Sequence, residues 1–274
     1  MARPVLFGTA ELVRDQEHRQ AWTITVNGIL QSYVDLTEPA NLAMPYTDWI
    51  GQVVDRHWDT GEPIRAVHLG GGGYSIPRYI TAMRPGSDQT VYELDGQLVD
   101  LIREQLGLTT TPGMRIHVQD ARAGIDETPD ATVDLVVQDV FRAGEIATEL
   151  ATVEFVGRIA RTLRPGGLYT TNLWDGGDLD FALRAVAAIS EVFPHTLVLA
   201  ETDVLTRQRP GNLVVAASTR ELPVAVLELW AATDPDPVHC LPLAHLTAMC
   251  GHAPPLTENS PLTSTTPSIH RRRD

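Results

Sequence analysis

A chain of 274 residues, 43% hydrophobic and 20% charged, is long enough for one large α/β domain and rich enough in apolar side chains to build a core without disulfides or metals. Its formal net charge of -14 disfavours nucleic-acid or membrane-surface partners, and its 21 basic residues are all Arg. Without Lys, Schiff-base chemistry through a lysine of this chain is excluded.

The first 20 residues carry charges throughout and lack a continuous apolar segment, and no apolar run reaches the roughly 18 residues a membrane span needs, so a cytoplasmic protein is expected. Residues 21–34 then alternate around Asn27-Gly28, a dipeptide suited to a tight β-hairpin because both positions tolerate positive φ. Trp49, Ile50, Val53 and Val54 fall at helical spacing and predict a helix leading into the main domain.

From Ile64 the order becomes strand (IRAVHL), Gly-rich turn, helix (SIPRYITAMR) and strand (TVYEL). A helix over residues 97–105 follows, then strands at RIHVQDA and VDLVVQDVF, a helix at ATVEFVGRIARTL, the turn LRPGG, and a strand at GLYTTNLW. The helix DLDFALRAVAAISEVF precedes two strand-like runs, HTLVLAET and GNLVVAAST, which suit the antiparallel end of a methyltransferase-type sheet. Alternating β and α elements with apolar strands predict a Rossmann-like, doubly wound, mostly parallel sheet of methyltransferase type, extended by the N-terminal β-hairpin.

Four segments are expected: residues 1–60 as hairpin and lead-in helix, 61–222 as a nucleoside-binding catalytic domain, 223–260 as a helical extension, and 261–274 as a disordered tail rich in Thr, Ser, Pro and Arg. Cys240 and Cys250, in that extension, lack the paired spacing of a zinc site and read as ordinary buried thiols, so no metal is expected.

Gly70, Gly71, Gly72 and Gly73 lie between an apolar strand and a helix, where bare backbone amides can approach a ligand closely. Glu93 ends the next strand about 20 residues on, in the position where a carboxylate accepts from both ribose hydroxyls. Asp120 ends the third strand of the domain, in reach of an adenine amino group, and Asp139 ends the fourth, facing the reaction centre. Asp175, after strand five, either lines an acceptor pocket or caps the following helix. His68 and His117 read as packed strand residues.

This ordered set resembles the spermidine synthase (polyamine aminopropyltransferase) family over roughly residues 22–218, in VNGILQ, LGGGG, YELD, QDAR, QDVF, ELATVEF and LRPGG. The resemblance implies that Gln31 contacts a sulfonium nucleoside, S-adenosylmethionine or its decarboxylated form. It places Glu93 at the ribose, Asp120 and Ala121 at the adenine, and Asp139 as the carboxylate that deprotonates or orients an attacking amine. It also implies a homodimer or homotetramer.

Three positions differ from the family pattern. Gly73 stands in place of an Asp that contacts the aminopropyl amine, Arg142 in place of a second Asp three residues after the catalytic one, and Tyr46 matches the family's tyrosine motif at a longer distance from Gln31. Fewer carboxylates and an added guanidinium lead to the expectation of methyl transfer from intact S-adenosylmethionine to a small, carboxylate-bearing acceptor, with Tyr46, Arg142 and Asp175 binding it. Aminopropyl transfer from the decarboxylated donor is the alternative, and a non-catalytic nucleoside-binding subunit a third reading.

Overall fold

The structure is a computed structural model that describes residues 1–108, 113–142, 145–234, 238–250 and 253–259. The segment over 261–274 expected to be disordered lies outside them.

Strands β1 (Ala2–Val5), β2 (Gly8–Arg14), β3 (Ala21–Val26) and β4 (Ile29–Asp35) form an antiparallel sheet in that order. Asn27 and Gly28 join β3 to β4 at φ 51 and 78, as the predicted turn requires. The sheet therefore has two more strands than the predicted hairpin: β1 spans 4 residues and includes Pro4, which an edge strand tolerates because its amide need not join a ladder.

Helix α1 (Pro45–His57) starts on Pro45, whose missing N–H would be unbonded in a first turn anyway. It buries Tyr46, Trp49, Ile50, Val53, Val54 and His57 along one stripe. Then follow β5 (Arg65–Leu69), α2 (Ser75–Met83), β6 (Asp88–Glu93), α3 (Gly96–Leu106), β7 (Met114–Val118), α4 (Ala121–Glu127) and β8 (Val133–Gln138). Asp95 caps α3 by accepting from the Leu98 amide, and Gly107 ends it in the left-handed region. Two-residue strands β9 (Phe141–Arg142) and β10 (Glu145–Ile146) lead through a 3-10 turn (Thr148–Leu150) into α5 (Val153–Thr162). The remaining elements are β11 (Leu163–Asp175), α6 (Asp180–Val192), β12 (His195–Glu201), α7 (Thr202–Leu205), β13 (Gly211–Ser218), α8 (Val224–Ala231), β14 (Val238–Pro242) and α9 (Leu243–Cys250).

Eight strands form the main sheet in the order β14-β12-β13-β11-β8-β5-β6-β7. Neighbours from β11 to β7 run parallel, and β13 enters antiparallel between β11 and β12, which gives the expected methyltransferase-type closing pair. The C-terminal extension is not purely helical as expected: residues 238–242 add β14 along β12, where Cys240 is buried and its thiol pushed up to about 12. LRPGG is the predicted turn in substance, although Leu163 already pairs with Val133; the register shifts between Leu163 and Leu168, and Gly166 takes φ 77.

Helices cover both faces. Val67, Leu69 and Val136 pack with Phe155, Ile159, Phe181 and Ile189 on one side, and Ala66, Leu135 and Val137 with Ile50, Val53 and Ile80 on the other. A third cluster seats the N-terminal sheet, through Leu12, Ile24 and Val34, on Val91 and on Leu98 and Ile102 of α3. Each fully buried apolar side chain stabilises such a seam by about 1.5–3 kcal/mol. Strand order reverses at β5: the chain moves outward through β6 and β7, then crosses back to β8 on the other side. At such a switch point the connections leave in opposite directions from the carboxyl ends of the strands and open a crevice.

Candidate active site

A cavity of about 380 Å³ opens at that crevice, with the N-terminal sheet as its outer wall. Its floor is set by the turn after β5. Gly70 has φ 87, and a Cβ there would come within 2.3 Å of the Asp139 carbonyl, so the ends of β5 and β8 can lie this close only with glycine. The Leu69 carbonyl accepts from the Asp139 amide at 2.9 Å, which ties the two strand ends together.

Glu93, at the end of β6, reaches back over the turn. One carboxylate oxygen accepts from the amides of Gly71 at 2.8 Å and Gly72 at 3.4 Å, and the other accepts from the Asp95 amide at 2.8 Å. Two of the amides expected to face a ligand are thus capped by the chain's own acid. A carboxylate has about four lone-pair sites, so Glu93 retains capacity for ribose hydroxyls. Asp120 caps α4, accepting from the amides of Arg122 at 2.9 Å and Ala123 at 3.3 Å. Asp120, Ala121 and Gln31 all line the cavity, Gln31 from β4.

The reaction centre lies at the end of β8. Asp139 accepts from the Tyr46 hydroxyl at 3.1 Å and from the Asn172 side-chain amide at 3.0 Å. Asn172 is in turn held by the Asn212 amide at 2.9 Å, which fixes its oxygen as the acceptor and its nitrogen as the donor toward Asp139. Burial raises the Asp139 carboxyl above the ordinary carboxylate value, and the hydrogen bonds from Asn172 and Tyr46 pull the other way. The Tyr46 phenol is pushed well up by burial and by the neighbouring Asp139 charge, so it stays a donor. The result is a carboxylate aimed into a cavity and gripped on both oxygens. Such a group can accept a proton or orient a cationic nitrogen.

Of the residues singled out from sequence, Gln31, Tyr46, Gly70, Gly71, Gly72, Glu93, Asp120, Ala121 and Asp139 line this one cavity. Gly73 does not. Its amide donates to the Ser32 hydroxyl at 2.8 Å, and a Cβ on it would meet Ser32, Val34 and Ile24 of the N-terminal sheet at 2.7, 2.8 and 3.0 Å. The absent side chain would point into packed structure, so Gly73 reads nothing on a ligand. Asp175 is also elsewhere: fully buried, it accepts from the amides of Gly177 and Leu179 at 2.8 Å and of Ala182 at 3.2 Å, and so builds the turn into α6. The Arg142 backbone belongs to β9, while its side chain lies outside the described residues. Arg209 pairs with Glu201 on the surface. Asn172 and Asn212 were not anticipated; the signal available was a polar Asn inside the otherwise apolar run GLYTTNLW. Among the described residues, no group of three or more His, Cys, Asp or Glu is placed to hold a metal ion.

No protein-family model matches the chain. It is 25% identical over 148 residues to the polyamine aminopropyltransferase of Chromobacterium violaceum, covering 54% of this chain and 55% of that protein. It is 27% identical over 151 residues to spermidine synthase 1 of Hyoscyamus niger, covering 53% of this chain and 47% of the relative. The chain thus spans about half the length of the curated relatives it matches. A probable spermidine synthase from Corynebacterium glutamicum superposes with a TM-score of 0.87 at 29% identity, over 94% of this chain and 96% of that one. A spermidine synthase in complex with the transition-state analogue AdoDATO superposes at 0.63 with 16% identity, over 82% and 75%. Human methyltransferase-like protein 13 in complex with SAH follows at 0.52 with 18% identity, over 72% and 86%. The last two share the fold. Spermidine synthases are therefore relatives of this chain by sequence as well as by structure, in agreement with the motifs.

Proposed function

We propose that the chain is a transferase that binds an S-adenosylmethionine-type sulfonium nucleoside and, as an aminopropyltransferase, moves the aminopropyl group of the decarboxylated donor to an amine. The observation that carries this reading is Asp139, a half-buried carboxylate held by Tyr46 and Asn172 on the wall of the switch-point cavity. The other charged side chains described on that wall, Glu93, Asp95 and Asp120, are also carboxylates. An anionic cavity favours a cationic donor and a cationic acceptor over ligands that carry a carboxylate. The case for methyl transfer drew on Gly73 and Arg142; Gly73 faces the N-terminal sheet, the Arg142 side chain lies outside the described residues, and the carboxylates on the wall favour the decarboxylated donor.

The residues present fit such a nucleoside: Glu93 for the ribose, Asp120 and Ala121 for the base, and the Gly70 to Gly72 backbone as close wall. When bound, the donor supplies an electrophilic carbon with a thioether leaving group that needs no acid. Asp139 holds the acceptor ammonium in place and takes one of its protons, and the neutral nitrogen so formed makes the C–N bond as the C–S bond breaks. The products are methylthioadenosine and the extended amine, and Asp139 then passes its proton to solvent. Tyr46 and Asn172 keep the carboxylate in one rotamer.

The test is incubation with each donor and a panel of primary amines, followed by mass spectrometry. Methylthioadenosine and an amine heavier by one aminopropyl unit are the expected products with the decarboxylated donor. S-adenosylhomocysteine and a methylated acceptor, obtained from the intact donor, would sink the proposal.

A further inference from the structure

His68 is 1% exposed, on the face of β5 that looks toward α1 and α2, and it lines the cavity. Its Nε2 lies 2.9 Å from the Gln89 side-chain oxygen. Gln89 donates through its nitrogen to the Pro77 carbonyl at 3.0 Å and to the Thr81 hydroxyl at 2.8 Å, so its oxygen must accept and Nε2 must carry the proton. The tautomer is therefore determined: Nδ1 bears a lone pair. That nitrogen is buried and has no hydrogen-bond partner in the protein.

The sheet register places the ring between Gln89 and the cavity. Gln89 is paired with Ala66, two residues toward the amino end of β5, so the Nε2 edge of the ring points down the strand. Toward the carboxyl end of β5, Gly70, Tyr46 and Asp139 line the same cavity that His68 lines. Burial lowers the imidazole pKa to about 4, so the ring is neutral and this lone pair is available at physiological pH. Leaving a buried acceptor unpaired is unfavourable, and a bound donor removes that cost.

We infer, on the amine-acceptor reading of the cavity, that His68 is a specificity-determining residue whose Nδ1 receives an N–H of the bound amine beneath Asp139. The ligand class is an alkyl ammonium with a second N–H donor group: Asp139 takes the reacting nitrogen and His68 a nitrogen at the deep end.

Two substitutions separate this role from packing. His68→Gln keeps a polar group at the Nε2 position, bonded to Gln89, and loses Nδ1; His68→Asn keeps an acceptor near Nδ1 and loses the Gln89 bond. The protein is saturated with methylthioadenosine and titrated calorimetrically with 1,4-diaminobutane and with 1-aminobutane. In parallel, the histidine Nδ1 resonance is followed in protein labelled with 15N-histidine.

Expected results are a loss of diamine affinity of about tenfold or more in His68→Gln, little change for the monoamine, and near wild-type diamine affinity in His68→Asn despite a lower melting temperature. In the wild type the His68 Nδ1 resonance moves when the diamine binds. Unchanged diamine affinity in His68→Gln, or an affinity that simply follows melting temperature across both variants, overturns the assignment and leaves the amine reading intact. Binding of methylthioadenosine with no binding of either amine overturns both.

Discussion

The Tyr46 hydroxyl and the Asp139 carboxylate, 93 residues apart in the chain, meet at 3.1 Å because the first turn of α1 lies over the end of β8. One group comes from the segment before the nucleoside fold and the other from its centre. The pair exists only once α1 has docked on the sheet, so donor chemistry and tertiary packing are tied together.

Replacing Asp139 with Asn removes the proton acceptor while keeping shape and one accepting oxygen. Turnover should fall by about 10²–10⁴, with methylthioadenosine affinity retained. The sign of the stability effect is also defined. The folded-state pKa of Asp139 is raised, so its protonated form stabilises the fold below pH 3.8, and that contribution is lost as pH rises through the elevated folded value. At pH 7 the Asn variant should unfold at the same or higher urea concentration than wild type, a difference that shrinks in acid; a large destabilisation at pH 7 would contradict the placement of this carboxylate.

Tyr46→Phe deletes a hydrogen bond that lowers the Asp139 pKa, so the acidic limb of the pH–rate profile should move to higher pH. The rate maximum should drop by about tenfold or more, the value of one hydrogen bond to a charged group. A profile superimposable on wild type would show that the phenol does not tune the acid.

Glu93→Gln tests the self-capped turn. The variant can still accept from Gly71 but carries no charge and has fewer lone pairs for a ribose. Calorimetry should show methylthioadenosine binding at least about tenfold weaker, with only a small fall in melting temperature.

Gly73→Asp would restore the family's acid in sequence, yet its Cβ would sit 2.7 Å from Ser32 and 2.8 Å from Val34. Overpacking of this kind costs about 1–3 kcal/mol. The expected outcome is a lower melting temperature without a gain for either donor. An unchanged melting temperature with a new donor preference would place the side chain in the cavity after all.

Two buried imidazoles should dominate acid unfolding. Burial lowers both His57, whose Nε2 donates to the Gly166 carbonyl at 2.8 Å, and His68 to about 4. Each depressed value gives stability that is complete above pH 6.5 and is lost as pH falls toward 4, at up to about 1.4 kcal/mol per pH unit per group. Urea midpoints measured from pH 7 to 4 should decline through that window, and His57→Gln should flatten the slope.

The central sheet was legible because its strands are apolar runs broken by Gly, Pro and Asp, and its helices carry a one-sided stripe. β14 was not, since five residues around Cys240 do not differ from a helical segment until β12 offers an edge. The carboxylates of the site were found by their strand-end positions. What they bond to was not: Asp175 sits at a strand end as Asp139 does, and only geometry shows that its oxygens go to the amides of residues 177, 179 and 182. For Gly73, sequence shows that a side chain is missing without showing which way it would have pointed. Asn172 escaped notice because an Asn in a strand carries no charge to mark it.

The Ser32 hydroxyl that holds the Gly73 amide couples the turn to the strand beside it. A side chain at position 73 cannot be gained without movement or change at positions 32 and 34, because the strand and the turn fill the same space. Any side chain placed at 73 in this fold therefore meets a steric barrier, and the glycine is held in place by its neighbours.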